Sequence, residues 1–179
     1  FINYNLFEGE KHKISDVKVT GDIPVELSAY ENVVTALKGQ TYSQQQITSI
    51  EDFFINILGN QGYAFAEVNP STEIDDETSE VKITFNVNAG NRTYTRKILF
   101  SGNETTQDHV LRREMRQFEG AWSSDNQIET GKVRLERLGY FKQVEVETVP
   151  VASSDDQVDV IYTVEEETTG SIGGNIGYS

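Results

Sequence analysis

The chain has 179 residues, with 29 acidic against 15 basic side chains, a formal net charge of −14 and no cysteine. That balance argues against a nucleic-acid partner, whose phosphates call for a surplus of Lys and Arg, and the missing cysteines exclude disulfide frameworks and thiolate metal sites. The length allows one or two domains, the 36% of hydrophobic residues allows a packed core without pointing to a single large one, and no apolar run has the length of a membrane-spanning helix.

In residues 1–6, Ile2, Tyr4 and Leu6 alternate with Asn3 and Asn5, as in a strand. No partner strand precedes them, so the chain is expected to start inside an earlier unit. Ile14, Val17 and Val19 mark the next strand, which ends at Gly21-Asp22. Tyr30, Val33, Val34 and Leu37 give a helical seam closed by Gly39. Ser43-Gln44-Gln45-Gln46 fits a capping box, and Ile47, Ile50, Phe54, Ile57 and Leu58 continue at helical spacing. Residues 63–68 read as a strand limited by Pro70. After the turn Asp75-Asp76-Glu77, Val81, Ile83, Phe85 and Val87 alternate with polar residues as a half-buried strand.

The same order then repeats. Ile98 and Phe100 end a strand at Gly102-Asn103. Leu111, Met115 and Phe118 fall at i, i+4 and i+7, which predicts a helix over residues 110–119 with Gly120 as its C-cap. Ser124-Asp125-Asn126-Gln127 is a second capping box, followed by Ile128, Leu135 and Leu138 with Val133 close to that seam. Val144 and Val146 form the next strand, Ser153-Ser154-Asp155-Asp156 the turn, and Val158, Val160, Tyr162 and Val164 the last strand. Gly21, Gly39 and Ser43 match Gly102, Gly120 and Ser124 at an offset of 81, whereas Gly62 and Val81 match Gly139 and Val158 at 77. Four residues are lost near the second helix, about one α-helical turn, so the second helix of unit two is predicted to be one turn shorter.

The expected class is α+β, with two β-α-α-β-β units that each have a three-stranded mixed sheet and both helices on one face. Two helices crossing over between the first two strands should make those strands parallel, and the short acidic turn makes the last two antiparallel. In the tail, Ile172, Gly174, Ile176 and Tyr178 alternate with small or polar residues, the pattern either of a barrel strand with one face to lipid or of a flexible glycine-rich end.

Arg112, Arg116 and Glu119 form a charged stripe on the helix that opens unit two. A carboxylate in the last turn has the wrong sign for the helix dipole. At the offset of 81, Glu31 stands in the place of Arg112 and Lys38 in that of Glu119, so unit one has the signs that the dipole favours and unit two reverses both. That contrast marks Glu119 as a docking candidate, against the plain reading of a solvated pair with Arg116. The second strands, near Phe65 and Val68 and near Val144 and Val146, are candidate sheet edges for an extended substrate; Glu145 and Glu147 would blunt the latter edge. His12 and His109 lie far apart with no third ligand at metal spacing. The Asp pairs sit in matching turns and Ser153 and Ser154 lack a motif-spaced histidine, so no catalytic residue, metal or cofactor is expected. Trp122 is expected to pack against its own unit.

Two such units followed by a glycine-rich strand resemble POTRA domains leading into an outer-membrane barrel. Ala89-Gly90-Asn91-Arg92, Arg96-Lys97-Ile98, Gly102-Asn103, residues 110–122, Arg137-Leu138-Gly139-Tyr140-Phe141 and Gln157-Val158-Asp159-Val160 are similar to the Omp85 family of barrel-assembly proteins. The resemblance implies that residues 1–10 end a third POTRA domain, 11–90 are the fourth, 91–167 the fifth and 168–179 the start of the barrel. It implies a non-enzymatic role on the periplasmic side of the outer membrane, with accessory lipoproteins, unfolded outer-membrane proteins, adjacent POTRA domains and the barrel as partners. In the family, charged residues of the fifth domain's first helix contact the accessory lipoprotein, which falls here on Glu119 with Arg112 and Arg116. The alternative is the POTRA pair of a two-partner secretion transporter.

Overall fold

Val81, Ile83, Phe85 and Val87 point to one face of a strand, and each is at most 1% exposed. Val158, Val160, Tyr162 and Val164 repeat the pattern at no more than 4%. These two strands are the centres of two sheets. The computed structural model describes residues 11–24 and 28–167, and the chain divides into the units Phe1–Arg92 and Thr93–Ser179. The strands expected in residues 1–6 and in the glycine-rich tail lie outside the described residues.

Unit one contains β1 (Lys13–Asp22), α1 (Ser28–Leu37), α2 (Gln44–Gly59), β2 (Glu67–Asp75) and β3 (Glu80–Asn88). Unit two contains β4 (Tyr94–Ser101), α3 (Asp108–Arg112), α4 (Asp125–Glu136), β5 (Phe141–Pro150) and β6 (Gln157–Glu166). The strand orders are β1-β3-β2 and β4-β6-β5. β1 runs parallel to β3, and β2 antiparallel to it; β4, β6 and β5 repeat that arrangement. The first two strands of each unit are therefore opposed and not adjacent, contrary to the parallel pair expected. Two helices reverse the chain once more than the single helix of a parallel crossover does, and the hairpin then brings the third strand back into the middle.

In unit one, Tyr30 and Leu37 of α1 and Ile47, Phe54 and Leu58 of α2 share one core with the inward side chains of the sheet. Phe54 packs on Tyr30 at 4.8 Å and edge-on to Phe85 at 5.4 Å. Fully burying a side chain of this size contributes about 1.5–3 kcal/mol. Unit two builds its core on Leu111, Met115, Ile128, Leu135 and Tyr162. The four-residue loss falls where the repeat register puts it, since α2 has 16 residues and α4 has 12. Ser43 and Ser124 are N-caps in extended backbone, but neither makes a side-chain capping bond.

The core of unit two has its own size exchange. Gly131 in the middle of α4 lets Tyr162 approach, because a Cβ there would lie 2.7 Å from the Tyr162 hydroxyl and 3.2 Å from Met115 Sδ. That hydroxyl donates to the Ile128 carbonyl at 2.7 Å. At the repeat offsets, unit one has Ile50 and Phe85 in the places of Gly131 and Tyr162. The extra oxygen is thus matched by a smaller helix residue and a buried bond.

Two expected elements change. β2 begins at Glu67 and continues through Pro70, which stands opposite Phe85. An edge strand tolerates proline because its absent N–H faces outward. Residues 63–66 form a turn with Ala66 N–H donating to the Tyr63 carbonyl at 3.1 Å, so Phe65, 45% exposed, lies ahead of the strand and not in it. The helix expected over residues 110–119 stops at Arg112.

Gly102 follows β4 at φ +83°, and a Cβ there would meet the Val164 carbonyl oxygen at 2.0 Å; Gly139 has φ +70° with open space around it. Gly102→Ala should therefore lower unfolding stability by roughly 3 kcal/mol or more. Gly139→Ala, which suffers only the backbone term, should cost about 1 kcal/mol. Urea denaturation of both variants checks this, and equal losses would contradict the close approach.

Candidate partner-binding site

A three-stranded sheet leaves the outer edge of its first strand open, and the segment after α3 closes it. Ser123 N–H donates to the Thr93 carbonyl at 3.0 Å, Thr95 N–H to the Ala121 carbonyl at 2.9 Å, and Gly120 N–H to the Thr95 carbonyl at 2.7 Å. Trp122 stacks on Tyr94 at 3.8 Å, so it packs within its own unit. The β4–β6 register slips between Thr95 and Lys97, where Arg96 reaches over to Asp159 with both Nε and Nη2. Past that bulge the backbone cover ends, and two side chains replace it. Ile98 N–H donates to Glu119 Oε1 at 2.9 Å, and Arg112 Nη2 donates to the Ile98 carbonyl at 3.1 Å.

Arg112 is the hub of this arrangement. It also pairs with Glu119 at 3.2 Å and with Asp108 at 3.1 Å, and its guanidinium lies 5.3 Å from the centre of the Phe100 ring. Glu119 and Arg112 are each almost half exposed, at 45% and 46% of their side chains. Arg116 is exposed and donates to the Met115 carbonyl at 3.1 Å; it makes no ion pair with Glu119. The predicted seam keeps Leu111 and Met115 buried but turns Phe118 outward, 68% exposed.

Gln117 and Arg134 account for the early end of α3. Gln117 is 1% exposed. Its amide donates to the carbonyls of Phe118 and Trp122 and accepts from Ser124 N–H. Arg134 on α4 binds the Glu114 carboxylate at 2.6 Å and the Glu114 carbonyl at 3.1 Å. That carbonyl is the acceptor Phe118 N–H would need for the helix to continue. Unit one has Ala36, Val33 and Phe53 at the three equivalent places, and there the helix runs on to Leu37. The sequence signal for the difference was these three exchanges, each of which puts a polar group where unit one has an apolar one.

The sign reversal also has an intramolecular side. Lys38 pairs with Asp16 at 2.9 Å, directly after the bulge in β1. The counterparts of those two residues are Glu119 and Lys97, so both members of the couple are exchanged together. β2 and β5 are outer strands. Val68 and Val144 on them are buried, and Val146 is half-buried. His12 lies 3.3 Å from Asp76 and His109 is exposed. Among the described residues no three His, Asp or Glu side chains come together as a metal would require.

The POTRA family, described as a surface antigen variable number repeat, matches residues 12–90 and 93–167. The chain belongs to the POTRA family. It is 32% identical over 177 residues to the outer membrane protein assembly factor BamA of Buchnera aphidicola, covering 99% of this chain and 29% of that protein. It is also 32% identical to BamA of Neisseria meningitidis over 178 residues, 22% of that protein. The chain thus spans less than a third of the curated relatives it matches. The crystal structure of Haemophilus influenzae BamA POTRA3-5 superposes with a TM-score of 0.82 at 37% identity, over 89% of this chain and 63% of that one. BamA of Haemophilus ducreyi lacking POTRA domains 1–3 gives 0.76 at 41%, over 89% of this chain and 30% of that one.

In the second POTRA unit two carboxylates are held ionised by the hydrogen bonds they accept. Ile98 N–H, then Arg112 with Lys97 nearby, keep Glu119 below its ordinary 4.5. Glu166 at the end of β6 accepts Thr106 N–H at 2.6 Å and Thr105 N–H at 2.9 Å. The Thr106 side chain, then the Thr106 and Thr105 N–H groups, push it down to about 2. A carboxylate depressed in the folded state contributes stability that is complete above its unfolded value, near 4.5, and lost as pH falls towards the folded one. Glu166→Gln should therefore be less stable than the parent at pH 7, and the gap should close between about pH 4.5 and 2. Denaturation curves across that range check it, and a gap independent of pH would contradict it.

Proposed function

We propose that this POTRA pair is the periplasmic, membrane-proximal part of an outer-membrane protein assembly factor. There it binds accessory lipoproteins and guides unfolded barrel proteins to folding and insertion, by binding and without catalysis or a cofactor. Residues 11–90 and 91–167 are then the fourth and fifth POTRA domains, residues 1–10 the end of the third and 168–179 the start of the barrel, with the chain on the periplasmic side of the outer membrane. The observation that carries this reading is similarity along nearly the whole chain to proteins named as assembly factors, together with superposition on their POTRA domains. The secretion-transporter alternative is not favoured, since the Buchnera and Neisseria relatives, each 32% identical, are assembly factors.

The accessory lipoprotein docks on Glu119, flanked by Arg112 and Arg116. Three features support this reading: the exposure of all three side chains, the outward-facing Phe118 between Arg116 and Glu119, and the charge contrast with Lys38 in unit one. Glu119→Lys should weaken capture of the lipoprotein at least tenfold, which corresponds to about 1.4 kcal/mol. Lys38→Glu should leave it unchanged. The circular dichroism of both variants should match the parent. Undiminished capture by a folded Glu119→Lys variant would refute the docking.

Unfolded barrel segments add to the free edges of β2 and β5, along Val68 and along Val144 and Val146; Phe65 lies beside the first of these in the turn. The position of both strands at the outside of their sheets supports this. Pro70, Glu145 and Glu147 limit how far such pairing extends. NMR shifts of backbone amides on adding a peptide copy of a barrel strand should cluster in residues 143–149. Their absence from both edges would remove this part of the reading.

A further inference from the structure

The outer edge of β4 is closed in two different ways. Over Thr93 and Thr95 it is closed by backbone, with residues 120–123 lying antiparallel to it through the Tyr94–Trp122 bridge. At Ile98 it is closed by two half-exposed side chains, Glu119 on the N–H and Arg112 on the carbonyl. Backbone cover is part of the fold, whereas a side chain leaves by rotating about its own bonds. The cover over Ile98 is therefore the removable part. Unit one has the backbone part too, through Gln40, Gly39 and Tyr42 against His12 and Ile14. It lacks the acid–base pair, because Lys38 goes to Asp16 instead.

We propose that Arg112 and Glu119 form a latch over the β4 edge, and that a cationic partner group taking Glu119 opens Ile98 to an extended polypeptide segment. The coupling rests on the docking reading above. Both bonds of the Glu119 carboxylate fall on Oε1, so the latch opens when the partner cation turns the carboxylate towards itself, which takes Oε1 off the Ile98 N–H and loosens the ion pair with Arg112. The freed N–H and carbonyl continue, on the same edge, the antiparallel row that residues 120–123 already occupy, so an extended strand is the occupant this edge accepts. Lipoprotein docking and strand addition are then linked through two residues.

Hydrogen exchange read amide by amide tests the latch in the chain as it stands. In Glu119→Ala, Ile98 should exchange at least tenfold faster than in the parent, with Thr95 and Val160 unchanged. An unchanged Ile98, or equal acceleration of all three, would overturn the latch. A spin-labelled peptide of alternating Val and Thr should broaden Ile98 and Phe100 in Arg112→Ala/Glu119→Ala and not in the parent. Broadening in both proteins would overturn the gate, and broadening in neither would overturn the strand site. Bound lipoprotein should accelerate Ile98 in the parent. Binding with Ile98 still protected would overturn the coupling and leave the docking standing, whereas no binding would overturn the docking and the coupling with it.

Discussion

The hydrogen bonds along the outer edge of each unit's first strand hold the arrangement together. That strand pairs on its inner side with the last strand of the unit, so its other side must be closed from elsewhere. In both units the chain leaving the first helix turns back and lies along it, through Gly39 and Gly120 at φ +82° and +80°. The placement of the second helix follows, since Ser43 and Ser124 come directly after this contact. The sheet, the helix entry and the charged site of unit two are all consequences of one edge being covered.

The repeat was legible because its signals are local. Glycines at equal offsets and alternating strands fixed the two units, and the change from 81 to 77 located the missing turn of α4. Strand direction was harder to read, because it depends on how many times the chain reverses. Two helices between Asp22 and Glu67 reverse it once more than the adjacent parallel pair assumed. Pro70 misled for a related reason. A proline ends a central strand, but only the three-dimensional order puts β2 at the outside, where proline is harmless.

The charged stripe shows where periodicity fails. Leu111, Met115 and Phe118 have helical spacing, yet Gln117 and Arg134 take the polar groups that such a helix would use, and α3 ends after five residues. Glu119 is therefore not in a last helical turn, and no helix dipole opposes its charge. Its sign fits its surroundings, with Ile98 N–H and Arg112 bonded to it and Lys97 nearby. The same comparison of units at position 97 against 16 was available in the sequence. It needed the knowledge that both residues follow a bulge beside the first helix. A residue with intramolecular work can still meet a partner, and the roles of Glu119 compete where that partner draws Oε1 away from Ile98.

The latch over β4 depends on the bond between Ile98 and Glu119. Scalar coupling across a hydrogen bond, read from the Ile98 amide nitrogen to the side-chain carboxyl carbon of Glu119, detects that bond directly. A measurable coupling, alongside the one from Thr95 to the Ala121 carbonyl, is the predicted result. Coupling at Thr95 with none at Ile98 would contradict the account, because the edge of β4 would then be open without any partner.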